Sequence, residues 1–71
     1  MKFSRSKLAE NMRVQRAKLD CSQAQLAERA GISVATVQQY EDGSMTPGAD
    51  KVFVLADALG CTPNELLGWE K

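Results

Sequence analysis

The sequence predicts an all-α fold, a compact domain of five helices in which the second and third form a tight helix-turn-helix. Three observations carry this. Apolar residues recur at helical spacing, as in Val52, Leu55, Ala56 and Leu59, and no segment alternates as a strand would. Serines and threonines stand just before the helical patterns at Ser4 or Ser6, Ser22, Ser33 and Thr62. Glycines stand just after several of them, at Gly31, Gly43 and Gly60. With 71 residues, 44% of them apolar, the chain reads as one domain over 1–71, near the lower size limit for a stable core.

The first helix runs from Ser4 to Leu19. Leu8, Met12 and Leu19 fall on one face, with Arg16 on the same stripe, and Asp20 and Cys21 interrupt the pattern. Ser22 opens the second helix, and Gln25 three residues on makes a capping box. Leu26, Ala27 and Ala30 form its inner face, Gly31 ends it in the left-handed backbone that glycine tolerates, and Ile32 fills the turn.

Ser33 caps the third helix, Val34 to about Asp42. Val37, Tyr40 and Glu41 share its inner side, with Val34 at the edge. Ala35, Gln38 and Gln39 point outward, with Thr36 on the flank. "SMTPG" is loop, and the fourth helix spans about Ala49 to Leu59, stopped by Gly60. "TPNE" starts the fifth: Thr62 caps, Pro63 takes the first helical position, and Glu65 completes a second box. Leu66 and Leu67 dock inward.

Composition narrows the function classes. The chain has no histidine, and its two cysteines, Cys21 and Cys61, lack metal-site spacing, so no zinc site is expected within one chain. They read as small core thiols of a reducing cytoplasm. Without histidine or a nucleophile–base pair, an enzyme is not expected, nor any cofactor. No apolar run reaches the length of a membrane span, and the basic N-terminus lacks the apolar stretch of a secretory signal.

Net charge is zero, but it is unevenly spread. Residues 1–19 hold Lys2, Arg5, Lys7, Arg13, Arg16 and Lys18 against Glu10 alone; residues 20–71 hold three bases against eight acids. A basic segment therefore faces an acidic remainder.

A short glycine turn between two helices lets one cross a phosphate backbone while the next enters the DNA major groove. Glutamine can pair with adenine in two places, and small apolar groups can touch thymine methyls. Val34, Ala35, Gln38 and Gln39 suit that chemistry. An αα-hairpin with an exposed polar face is also common in plain helical bundles.

The ordered elements "SQAQLAERAGIS", "YEDG", "LADALG" and "ELLG", with Arg16 ahead of them, are similar to the Cro/CI-type (XRE) helix-turn-helix family, which includes lambdoid phage repressors. The resemblance covers about residues 8–67. It implies a DNA-binding transcriptional regulator, most simply a repressor, acting as a homodimer on double-stranded DNA. It places base reading at Val34, Ala35, Thr36 and Gln39, with Gln38 a weaker candidate. Ser22 and Gln23 match phosphate contacts at the second helix. Gly43, Ser44 and Thr46 match the phosphate-touching loop. Arg16 and Glu41 match a charged pair tying the first helix to the third, and a charge on an apolar face needs such a partner.

The sequence departs from that family in several places. The loop "GSMTPGADK" is poor in bases, so Lys2, Arg5, Lys7 or Arg13 would have to compensate. Gln15 and Ala49 replace larger apolar residues; Cys21 and Cys61 replace usual core positions. In the run "VFVLA", Phe53 or Val54 should be partly exposed. In phage repressors the C-terminal part of the domain lies near the two-fold contact, so Trp69 with Leu66 or Leu67 is a candidate dimer contact. The alternative to DNA reading is a protein-interaction module of the same fold, such as an antitoxin-like partner.

Overall fold

The computed structural model describes residues 4–69; Lys2 lies outside them. The described residues contain five helices and no strand: α1 Arg5–Lys18, α2 Gln23–Ala30, α3 Val34–Glu41, α4 Ala49–Leu59 and α5 Pro63–Leu67.

Each start is fixed by a side chain or by backbone shape. Of the two serines that could cap α1, Ser4 does so, its Oγ accepting from the Lys7 N–H at 3.2 Å. Ser22 and Gln25 form a reciprocal capping box, as do Thr62 and Glu65. Ser33 Oγ accepts from the Thr36 N–H at 3.1 Å. Each such cap contributes about 1 kcal/mol. In helices this short, that decides whether they hold their ends. α4 starts on Gly48 with no side-chain cap.

The end of α1 is less ordinary. The Cys21 N–H bonds the Arg16 carbonyl at 3.0 Å and the Asp20 N–H bonds that of Ala17 at 3.1 Å. This is a Schellman closure, whose pivot needs a left-handed backbone. Asp20 occupies the pivot at φ 51, the one non-glycine residue with positive φ among those described. The closure redirects the chain so that Cys21, not Leu19, enters the core. Leu19 was expected on the buried stripe but is 44% exposed, because the stripe ends with the helix one residue earlier.

The core draws on every helix. Leu8 and Met12 of α1, Leu26 of α2, Val37 of α3, Leu55 and Leu59 of α4 and Leu66 of α5 are essentially removed from solvent. Burying each contributes about 1.5–3 kcal/mol. α5 packs on α1 and α4, where the Asn11 Nδ2 amide donates to the Leu66 carbonyl at 3.0 Å. α3 packs on α1 and α2. Cys21 is buried, Cys61 half-buried against the core, and both are free thiols. Burial raises the Cys61 pKa above its ordinary value. No described helix is long and apolar enough to cross a membrane.

Asp20→Gly removes the steric cost of a left-handed aspartate and should raise unfolding stability by about 0.5–1 kcal/mol. Urea denaturation measures it; an unchanged or lower midpoint would mean the aspartate side chain offsets its own strain.

Candidate functional site

The turn Gly31–Ser33 sets α3 directly after α2. Gly31 takes φ 70, and the Ile32 N–H closes on the Ala27 carbonyl at 3.0 Å. Ile32 then packs half-buried against the core. Three residues leave the pair little freedom to splay.

α3 divides cleanly. Val37, Tyr40 and Glu41 are buried; Ala35, Gln38 and Gln39 are exposed, and Val34 lies at the rim. Thr36 is half-buried on the flank, with its hydroxyl 2.8 Å from Ser33 Oγ. Its oxygen is therefore already engaged at the cap. Among the described residues, the Gln38 and Gln39 side chains have no intramolecular hydrogen-bond partner, so their amides face outward uncommitted.

Glu41 anchors the inner side and is 4% exposed. Arg16 grips its carboxylate with two parallel bonds, Nε to Oε2 at 2.8 Å and Nη2 to Oε1 at 3.0 Å. Arg16 Nη1 also donates to the Cys21 carbonyl at 3.0 Å. The hydrogen bond to Glu41 raises the Arg16 pKa further, so the guanidinium stays charged. Gln23, the first residue of α2, donates from Nε2 to Glu41 Oε1 at 3.0 Å. α1, α2 and α3 are thus joined at one carboxylate. Arg13 donates to the backbone carbonyl of Glu41. No buried side-chain polar atom among the described residues lacks a partner.

Two sets of backbone donors border this centre. At the start of α2, the Gln23 and Ala24 amides belong to the first turn and have no intrahelical acceptor. After α3, Gly43 takes φ 81 and the loop folds back. The Ser44 N–H bonds the Gln39 carbonyl at 3.1 Å and Asp42 Oδ1 at 2.8 Å, and the Met45 N–H bonds Gln39 at 3.2 Å. The Ser44 hydroxyl also leans on Gln39, at 3.4 Å. Ser44, expected as a phosphate contact, is exposed and uses its N–H, and more loosely its hydroxyl, to cap the end of α3. The N–H groups of Gly43 and Thr46 have no partner among the described residues. The Ser44 bonds hold the Asp42 pKa below the usual aspartate value, so the cap persists until pH falls through that lowered pKa.

Apolar side chains are also exposed on α4. Phe53 is 65% and Val54 39% exposed, where one of the two was expected outside. Phe53 walls an open groove of about 420 Å³ with Pro47, Ala49, Val52, Pro63 and Leu67, its polar edges being Thr46 and Asn64. Trp69 is half-exposed. Leu66 is not available there: it is fully buried, because α5 turns it into the core and leaves Leu67 at the edge. The expected dimer contact at Leu66 is corrected accordingly. Arg13 was named in the sequence as one of four bases that would compensate for the base-poor loop, without its contact to α3; its position three before Arg16, on a neighbouring flank of α1, was the signal for that reach.

The helix-turn-helix family matches over residues 12–66. The chain is 36% identical over 62 residues to the cryptic phage CTXphi transcriptional repressor RstR of Vibrio cholerae, covering 87% of this chain and 55% of that one. It is 33% identical over 60 residues to the repressor protein C2 of Salmonella phage P22, covering 84% of this chain and 28% of that one. The chain thus spans about half and about a quarter of these relatives. The crystal structure of the P22 c2 repressor with a synthetic operator superposes with a TM-score of 0.82 at 32% identity, covering 89% of this chain and 96% of that one.

Removing one partner of a buried pair strands the other, so Arg16→Met or Glu41→Leu alone should cost about 3–5 kcal/mol in urea denaturation. The double variant should recover most of that loss. Single losses below about 1 kcal/mol would show the pair to be no anchor.

Proposed function

The chain belongs to the helix-turn-helix family, and on that premise we propose that it binds double-stranded DNA sequence-specifically and regulates transcription as a repressor, without catalysis or a cofactor. The observation that carries this reading is the outer face of α3: uncharged, exposed and hydrogen-bonded to nothing, on a helix whose inner side is anchored to two others. A face built for solubility alone favours charge. A face that reads base edges favours uncommitted amides and small apolar groups.

In this reading α3 lies in the major groove. Gln39 and Gln38 offer paired donor and acceptor to adenine, and Ala35 and Val34 meet thymine methyls. Thr36, engaged with Ser33, contributes from the flank. The amides at the start of α2, with Ser22 and Gln23, accept one phosphate, favoured by the partial positive charge of a helix N-terminus. Gly43 and Thr46 hold a second through their N–H groups, while Ser44 shapes the loop around them. Gln23 then contacts phosphate while bracing Glu41, so backbone contact fixes the tilt of the reading helix.

The protein acts in the cytoplasm as a homodimer, one α3 per half-site. The exposed Phe53, Val54 and Trp69 support the dimer, since large apolar side chains left in water favour an interface. Leu67 and the groove beside Phe53 extend it.

Selection from a random duplex library tests the reading. It should enrich an inverted repeat with half-sites about one helical turn apart. Gln39→Ala should change preference at one position by about 1–3 kcal/mol, while Gln23→Ala should weaken all duplexes alike. No enrichment with folded protein would move the function to a protein partner. The dimer has its own check. Phe53→Ser and Trp69→Ala should each shift sedimentation toward the monomer, and unchanged sedimentation in both would remove this surface from the interface.

A further inference from the structure

The loop after α3 holds no cation between Gly43 and Ala49, and Asp42 adds a negative charge beside it. α3 itself has no basic residue in its last turn. A polyanion meeting this edge needs positive charge from elsewhere in the fold. Lys7 is paired with Glu10 at 3.0 Å. Lys18 is the last residue of α1, without a bond to α3 among the described residues. Arg16 is held by Glu41 and the Cys21 carbonyl. Arg13 is different. It leaves α1 on an exposed flank and sets one guanidinium nitrogen on the Glu41 carbonyl, the last residue of α3 and two before Gly43.

We infer that Arg13 is the phosphate clamp of this site, replacing from α1 the cation that the loop lacks. The inference rests on the DNA-binding reading above and names a residue within it. A guanidinium carries five N–H donors in a planar fork. Among the described residues one bond is recorded for Arg13, to the Glu41 carbonyl two residues before Gly43, which leaves its other donors without a protein partner. The bond to Glu41 gives the fork a fixed origin, and a positive charge at a helix C-terminus is itself stabilising. Arg13 therefore closes α3 and reaches phosphate with the same group.

The test separates these two roles. Wild type, Arg13→Lys and Arg13→Gln are titrated with a mixed-sequence duplex of two helical turns across a salt series, and each is melted alone. Arg13→Gln should bind all sequences several-fold more weakly, and its log–log salt slope should be shallower by about 0.9. Arg13→Lys should keep the wild-type slope. If Arg13→Gln melts lower yet keeps the full slope, Arg13 is only a helix cap and the inference fails. If wild type shows no salt-dependent duplex binding, the DNA reading fails and takes the clamp with it. Should Arg13→Gln not fold, the Arg13 Nε–H resonance of wild type decides: a shift on adding duplex supports the clamp, and none overturns it.

Discussion

Glu41 carries a full negative charge into the interior of a domain scarcely large enough to have one. Burying a lone carboxylate costs several kcal/mol, and here the cost is met by a bidentate arginine from α1 and an amide from α2. An apolar contact of similar size would hold α3 equally well in energy, yet it would allow rotation and sliding. A carboxylate gripped in a planar fork allows neither. The orientation of α3 on the domain, and with it everything presented outward, depends on this junction.

The same junction explains how so short a helix keeps one orientation. α3 has eight residues, too few to be stable alone. Its start is held by Ser33, its inner face by Val37 and Tyr40, and its end by Arg13, Arg16, Gln23 and the returning loop. None of these restraints uses Ala35, Gln38 or Gln39 as a side chain. The helix is stabilised from behind and at its tips.

Much of this was legible in the sequence because it is local. Serine or threonine before a helix, glutamine or glutamate three residues on, and glycine after its end each act within a few residues, and Ser22, Gln25, Gly31, Thr62 and Glu65 take those roles. The Arg16–Glu41 pair was legible because each charge stood on an apolar stripe. What escaped is what depends on where a helix stops relative to its neighbours. Leu19 has the right angular position but lies beyond the last turn. Leu66 and Leu67 are adjacent, and only the pitch of α5 against α1 decides which is buried. Phe53 and Val54 are both outside because the core beneath α4 is already filled by Val52, Leu55, Ala56 and Leu59. Ser44 bonds back to the end of α3 because Gly43 bends the loop onto Gln39, a fold-back that spacing alone does not encode.

The separation between the outer and inner sides of α3 bears on how such a protein can change over time. Substitutions at exposed positions away from caps and pairs typically alter stability by no more than about 0.5 kcal/mol. Ala35, Gln38 and Gln39 are such positions, so new combinations there leave the folded population almost untouched. Lineages can vary this face of α3 without first acquiring compensating stability. Glu41, buried at the end of the same helix, has no such freedom, since any change there must be matched in two other helices at once. The domain thus confines innovation to a few neighbouring side chains and keeps the frame that presents them constant.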